Sequence, residues 1–220
     1  MYTNSPVDLT VTHTATWKDA LRQARQEANA ATTRAAVPAT PGLVERCVSS
    51  VPSPVAEQVA LAWLTAGRVG CILQLKGENV TLDGSQLTVQ FRRGKGVKAR
   101  GPYTVHTECP SAWLPKLQAL LQRPKDQWLW PQPTPAARTA ASRALTASLR
   151  GIHPTLEQRS LRRGALQAMA SAGVEEQTLL QYSGHTNVAM LRRYLDWGRK
   201  GEGLAVAARA AAAHLRTGTA

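Results

Sequence analysis

The feature that most restricts the fold is that strand-like alternation is confined to one stretch, residues 79–107. Every second side chain in its middle is apolar, namely Leu87, Val89 and Phe91, which is the period of a half-buried strand. Asp83-Gly84 just before them is a tight-turn signal. Residues 79–82 and 101–107 are strand candidates on either side. The stretch therefore predicts one small antiparallel sheet of three strands, and the rest of the core must be helical.

The flanking segments have helical periodicity. Pro54 suits the first turn of a helix that Gly67 ends, and Arg68 opens a short second helix. Further helices are predicted over residues 111–121, 134–149 and 159–172. Another has Glu175 and Glu176 in its first turn and ends at Gly184, and a last one is capped by Thr186 or Asn187 and runs through Leu195. Between the second and third strands, residues 92–96 (Arg-Arg-Gly-Lys-Gly) are predicted to form a basic turn at the tip of the sheet. The predicted fold class is α+β and mostly α.

The chain divides into three predicted parts. Residues 1–54 are an arm and linker with at most one or two helices, because their one good helix candidate has a thin alanine face and prolines follow it. Residues 55–200 form the main domain. Residues 201–220 are an alanine-rich helix or tail.

Composition restricts the partner. The 220 residues include 27 Lys and Arg against 14 Asp and Glu, which gives a net charge of +13. This charge predicts a polyanionic partner. A hydrophobic fraction of 43% excludes wholesale disorder. No apolar stretch approaches the roughly 20 residues of a spanning helix, and no secretory signal is visible. Three widely spaced cysteines without a CxxC pair argue against zinc or disulfides, so we expect no metal and a reduced, intracellular protein.

An arginine cluster opens the most informative segment, residues 159–198. Arg159, Arg162 and Arg163 lie at i, i+3 and i+4 and are predicted to share one face, opposite a buried stripe of Leu161, Ala165, Ala168 and Ala172. Positive charge in a first helical turn opposes the helix dipole, which indicates that an anion binds nearby. Gly184-His185 follows as a turn, and Tyr194 stands nine residues after His185.

This arrangement resembles the catalytic domain of the tyrosine recombinases, the phage integrase family, over residues 55–198. Thr65-Ala66-Gly67-Arg68 is similar to the family's first arginine box. Lys95, or failing it Lys98, fits the family's lysine in a β-hairpin turn. Leu161-Arg162-Arg163-Gly164 is similar to the second arginine box, which Gly184-His185 and Tyr194 complete. Two positions depart from the pattern. Arg159 stands where the family has histidine, and Cys71 where it has an acidic residue. Residues 1–54 also do not supply the full core-binding domain that normally precedes this one.

The resemblance implies the DNA breaking-rejoining fold and a recombinase or integrase of a mobile element, which forms a 3′-phosphotyrosine without cofactor, metal or ATP. Tyr194 is then the nucleophile, Arg68 and Arg162 hold the phosphate oxygens, and Lys95 protonates the leaving 5′-oxygen. His185 donates to the phosphate or carries a proton. Arg159 holds charge only, because a guanidinium cannot accept a proton near neutrality.

The implied partner is double-stranded DNA, bound by a homotetramer in the cell interior, in the nucleus of a eukaryote or the nucleoid of a prokaryote. The 201–220 tail either passes to a neighbouring subunit or folds back on its own chain. The remaining basic side chains are predicted to bind DNA phosphates: Arg92, Arg93, Lys98, Arg100, Arg163, Arg192 and Arg193.

Other interpretations stay open on the sequence alone. The two departures favour a DNA-binding relic without catalysis, and a type IB topoisomerase shares the chemistry. A basic RNA-binding module is a weaker alternative, since no stacking platform is evident. Taken singly, Tyr194 is equally typical of a half-buried aromatic, Arg68 of a helix-end cation, and Lys95 of a solubilising hairpin lysine.

Overall fold

A computed structural model describes residues 36–130, 134–185 and 187–195 of the chain. Two 3-10 turns, Gly77–Asn79 and Ser111–Trp113, lie among its helices and strands. In chain order these are α1 (Pro41–Ser50), α2 (Val55–Leu64), α3 (Val69–Ile72), β1 (Val80–Asp83), β2 (Gln86–Phe91), α4 (Lys95–Arg100), β3 (Tyr103–Glu108), α5 (Leu114–Leu121), α6 (Pro135–Ile152), α7 (Gln158–Ser171), α8 (Glu176–Ser183) and α9 (Val188–Leu195).

The sheet confirms the prediction of three antiparallel strands, in the order β1-β2-β3. Val89 of β2 pairs with Val80 on one side and Val105 on the other, so a row of three buried valines crosses the sheet. Leu87 and Phe91 are buried on the same face of β2, as the alternation predicts. The fold class, mostly helical with one small sheet, is confirmed.

The connection between β2 and β3 is a helix, and the prediction of a basic turn there is wrong. Gly94 (φ 101°) and Gly101 (φ 82°) bracket the six residues of α4. Val97 packs against the main core and anchors this helix. The glycines therefore mark the two ends of a helix, where positive φ is needed, and not the tip of a hairpin.

Part of the predicted N-terminal arm packs into the main core. Thr40 caps α1 by accepting from the Leu43 amide at 3.3 Å, and Pro41 occupies the first turn. Val44, Cys47 and Val48 of α1 are buried at helical spacing. Residues 1–35 and the tail at 201–220 lie outside the described residues, so the predicted boundaries stay predictions.

Helix α2 is the centre of the fold, because all but two of its ten residues are buried. The main core surrounds it with the inner face of the sheet and the apolar faces of α1, α5 and α6. A smaller core joins α7, α8 and α9 through Leu166, Leu179 and Leu191, and Trp63 of α2 contacts it. Among the described residues, no helix is long and apolar enough to cross a membrane.

Helix α7 corrects the predicted burial of the arginine segment. Arg162 and Arg163 are buried together with Leu161 and Ala165, while Ala168 is half-buried and Ala172 exposed. The first turns of α7 are closely packed, because the Ala39 amide donates to the Ser160 carbonyl at 3.0 Å and α2 also contacts this helix. The two arginines thus sit inside the protein rather than on an outer face.

Candidate active site

Arg162 is the centre of the candidate site, and backbone carbonyls from two distant loops hold its guanidinium. Nη1 donates to the Ala66 carbonyl at 2.5 Å, and Nη2 donates to the Ser183 carbonyl at 2.6 Å. Ala66 has a φ of 45° in the turn that ends α2, so its carbonyl is aimed by an unusual backbone conformation. Arg162 thereby joins the end of α2 to the end of α8.

The Arg162 guanidinium keeps donors for a ligand. It is only 4% exposed, and its Nε–H is buried without an acceptor among the described residues. An unsatisfied N–H of a buried charged group is costly, so an anion that accepts from it would be stabilised. Burial and the neighbouring Arg68 lower the pKa of Arg162 to about 10, and the guanidinium is still charged at pH 7.

Arg68 contributes a second guanidinium at the start of α3, where the sequence predicts it. It precedes the helix as its N-cap residue and is half-buried. Its charge lowers the pKa values of both Arg162 and His185, and its Nη1 lies against the backbone of Gly96. Within the described part of the chain, Arg68 has no hydrogen-bond or ion-pair partner.

His185 lies beside Arg162 in a defined orientation. Ser183 Oγ donates to the Leu180 carbonyl at 3.3 Å and accepts from His185 Nδ1 at 2.9 Å. The proton is therefore on Nδ1, and the lone pair on Nε2 faces Arg162 Nη2 at 3.4 Å. Sequence reasoning did not identify Ser183 as the group that orients His185, although a hydroxyl two residues before a histidine is a local signal.

His185 is held neutral. Burial, and then the charges of Arg162, Arg68 and Arg100, lower its pKa from 6.5 to about 3. Each of these effects disfavours the imidazolium, and an anion bound among the arginines would oppose them. In the ligand-free protein, His185 is thus a hydrogen-bond acceptor at Nε2.

Tyr194 lies on α9 against the same group of side chains. Its ring centroid is 4.8 Å from that of His185, and Arg162 Cζ lies 5.8 Å from the Tyr194 ring. Gln167 donates to the Tyr194 carbonyl at 3.0 Å and ties α9 to α7. Leu191 and Leu195 are buried on the other side of α9, and Tyr194 is half-buried beside His185 and Arg162.

Two of the predicted catalytic residues are not brought into this group. Lys95 is exposed at the first turn of α4 and makes no hydrogen bond, ion pair or ring contact with any described residue. Arg159 is exposed and forms an ion pair with Glu157 at 3.3 Å. The structure therefore brings together Arg68, Arg162, His185 and Tyr194, and we call this group of four side chains the pocket. Lys95 and Arg159 lie outside it.

The side chains predicted to bind DNA phosphates fall into different environments. Lys98 is exposed, and so are Arg92, which donates to Gln90, and Arg93, which lies over the Trp128 ring at 5.0 Å. Arg163 is buried next to Arg162, Arg192 forms a bidentate ion pair with Glu176, and the side chain of Arg193 lies outside what the structure describes. Among the described members of this set, Arg100 approaches His185, and the two residues line a cleft of about 310 Å³ with Leu180, Gln181 and Gly184.

The neutral state of His185 predicts a pH-dependent stability. Between an unfolded pKa of 6.5 and a folded pKa of about 3, the unfolded chain binds a proton that the folded chain does not. This histidine therefore makes the free energy of unfolding fall with decreasing pH, by up to about 1.4 kcal/mol per pH unit. Urea denaturation of wild type and His185→Gln at pH 7, 6 and 5 measures the difference in slope.

The expected result is a shallower slope in His185→Gln. The matched control is His106→Gln, because His106 is exposed on β3 and bonds only to Thr88 at 3.0 Å among the described residues. That variant should keep the wild-type slope. Identical slopes in all three proteins would show that His185 is not held neutral by its surroundings.

The chemistry of the pocket is that of an anion site. Guanidiniums in planar fork geometry suit the oxygens of a phosphate, a buried neutral imidazole can accept a proton, and a phenol lies beside both. None of the described carboxylates forms an ion pair with Arg68, Arg100 or Arg162. Grouping unpaired cations costs free energy, which a bound anion would offset.

Three solved structures superpose on most of this chain. The Tn1549 transposon integrase, solved in complex with a circular intermediate DNA, superposes with a TM-score of 0.54 at 16% identity over 81% of this chain and 71% of that chain. The XerH site-specific recombinase, bound to a palindromic difH substrate, superposes with a TM-score of 0.56 at 15% identity over 79% of this chain and 52% of that chain. The catalytic domain of bacteriophage HP1 integrase superposes with a TM-score of 0.51 at 14% identity over 73% of this chain and 87% of that chain.

These likenesses show the fold, and this chain spans about half of the XerH chain. No curated protein matches the sequence. The profile of the phage integrase family, however, matches residues 39–199. It includes every side chain of the pocket, and by that match the chain belongs to the phage integrase family of tyrosine recombinases.

Proposed function

We propose that this protein is a site-specific DNA recombinase or integrase of a mobile element, which cleaves and rejoins strands through a phosphotyrosine at Tyr194. The observation that carries the proposal is the placement of the Tyr194 ring within 4.8 Å of the His185 ring and 5.8 Å of Arg162 Cζ. The family membership and the DNA complexes of the Tn1549 and XerH proteins support duplex DNA as the substrate.

In the cleavage step, the Tyr194 oxygen attacks a backbone phosphorus, and the bond from phosphorus to the 5′-oxygen breaks. The products are a 3′-phosphotyrosine and a free 5′-hydroxyl, so the linkage energy is retained and no ATP is consumed. Arg68 and Arg162 donate to the non-bridging oxygens, whose negative charge grows in the transition state. Attack by a second 5′-hydroxyl on the phosphotyrosine reverses the step and rejoins the strands.

Two protons must move during cleavage. The phenol proton goes to His185 Nε2, which faces Arg162 Nη2 at 3.4 Å in the ligand-free protein and belongs to a ring whose centroid is 4.8 Å from that of Tyr194. The phosphate charge raises the pKa of His185 from its ligand-free value and makes it a competent base. The leaving 5′-oxygen takes its proton from Lys95, which is exposed in the first turn of α4 and is held by no other described side chain.

Family members act as tetramers on paired sites, and we extend that assembly to this protein. Its net charge of +13 also predicts that DNA binding weakens steeply with salt. A relic that binds DNA without cutting it is the second candidate, favoured by Arg159 and Cys71 at positions where the family has histidine and an acid.

The deciding experiment is covalent trapping on nicked duplexes. The substrate is a library of nicked duplexes with randomised sequence around the nick. Cleavage releases a short strand that carries the 5′-hydroxyl and diffuses away, so the covalent adduct cannot reverse. We expect an adduct that survives detergent, and mass spectrometry of the digested protein should place the nucleotide on the peptide that contains Tyr194. If the protein binds the duplexes under native conditions but never forms a covalent adduct, it is a DNA-binding relic without strand-cleaving activity.

A further inference from the structure

Helix α4 delivers an arginine to the pocket from the connection between β2 and β3. The guanidinium of Arg100, the last residue of α4, lies 3.2 Å from the centroid of the Tyr103 ring. Its Nη1 donates to the Gln181 carbonyl at 2.8 Å, at the end of α8. Two contacts from separate elements, β3 and α8, therefore hold the guanidinium beside the turn that carries His185.

The turn itself is shaped to admit this arginine. Gly184 ends α8 in the left-handed conformation (φ 63°), and a Cβ added there would collide with the Arg100 guanidinium. A glycine is thus required at this position both by the backbone and by the close approach of Arg100. The approach places the guanidinium next to His185 on the wall of the 310 Å³ cleft.

Among the described residues, no carboxylate neutralises the charge of Arg100. That charge acts on both Arg162 and His185. A guanidinium has five N–H donors, and the Gln181 carbonyl and the Tyr103 phenol use two at most. Donors are left for a ligand in the cleft.

We propose that Arg100 binds the reacting phosphodiester together with Arg68 and Arg162, as a third guanidinium on its non-bridging oxygens. The proposal rests on the proposed function, since it takes the scissile phosphate as the ligand. A guanidinium does not release a proton near neutral pH, so Arg100 stabilises charge and leaves proton donation to another group. The β2–β3 connection thereby supplies an arginine in addition to the exposed Lys95.

The test uses inorganic phosphate as the probe, so that it does not depend on knowing the DNA site. Phosphate is titrated at constant ionic strength into wild type, Arg100→Gln, Arg100→Lys and the control Arg46→Gln, and the imidazole NMR signals of His185 are followed. Arg46 is exposed on α1, so the Arg46→Gln substitution removes one positive charge, as Arg100→Gln does, at a place away from the pocket. We expect the Kd for phosphate to rise about tenfold in Arg100→Gln, less in Arg100→Lys, and not in Arg46→Gln.

A second measurement needs no variant. Phenylglyoxal modifies arginines of the folded wild-type protein, and peptide mass spectrometry gives the rate at each position with and without saturating phosphate. Arg100 should be protected at least fivefold and Arg46 not at all. Equal modification rates at Arg100 with and without phosphate would overturn the proposal, even if Arg100→Gln failed to fold.

The outcome is separable from that of the covalent trap. An adduct at Tyr194, with unchanged phosphate affinity in a folded Arg100→Gln protein, would leave the recombinase standing and remove Arg100 from its pocket. Phosphate binding that depends on Arg100, without any adduct, would keep the anion site and refute the strand-cleaving activity.

Discussion

Tyr194→Phe is expected to abolish covalent capture of DNA, with a loss of ~10³-fold or more, while DNA affinity stays within about twofold. The substitution removes only the attacking oxygen. The ring contact with His185, the cation over the ring from Arg162 and the packing of α9 by Leu191 and Leu195 all remain. The rate of adduct formation on nicked duplexes and the Kd from a filter-binding titration measure the two effects separately.

The matched control is Tyr182→Phe, which removes a phenol of the same neighbourhood. Tyr182 donates its hydroxyl to the Leu64 carbonyl at the end of α2, and burial raises its pKa to about 12. Its loss should cost about 1 kcal/mol of stability and leave adduct formation intact. An adduct that persists in Tyr194→Phe, or one that disappears equally in Tyr182→Phe, would remove Tyr194 from the role of nucleophile.

The sequence predicts those parts of the fold that local patterning controls. The alternation of Leu87, Val89 and Phe91 correctly placed β2 in the sheet, and Gly184 correctly ended α8. The sequence does not predict helix α4, because glycines such as the two that flank it are equally typical of a turn. The contact of Val97 with the core, which favours the helix, is a long-range interaction that no local pattern reports.

The candidate site shows the same division. The spacing from His185 to Tyr194 predicts their proximity, because one turn and one short helix separate them. The burial of Arg162 depends on carbonyls of Ala66 and Ser183, which lie 96 and 21 residues away in the sequence. Helical periodicity ranks an arginine as an outward-facing residue, and only the tertiary structure reveals that buried acceptors are available to it.

Gly164→Ala is expected to destabilise the protein by about 3 kcal/mol and to impair the pocket at the same time. Gly164 follows Arg162 by two residues on α7. A Cβ there would overlap the Ala39 carbonyl oxygen and lie 2.8 Å from the Trp63 ring, so neither backbone nor indole can yield cheaply. Relief requires α7 to move away from α2, which would carry Arg162 away from the Ala66 carbonyl at its end.

Urea denaturation measures the loss of stability, and phosphate titration measures the loss of the anion site. Gly151→Ala is the matched control, because Gly151 lies within helix α6 and has nothing within 4 Å of its added Cβ. That variant should be neutral or gain about 0.5 kcal/mol from the better helix propensity of alanine. If the two alanines behaved alike, Gly164 would be an ordinary helix glycine, and the close packing that fixes Arg162 over the pocket would be refuted.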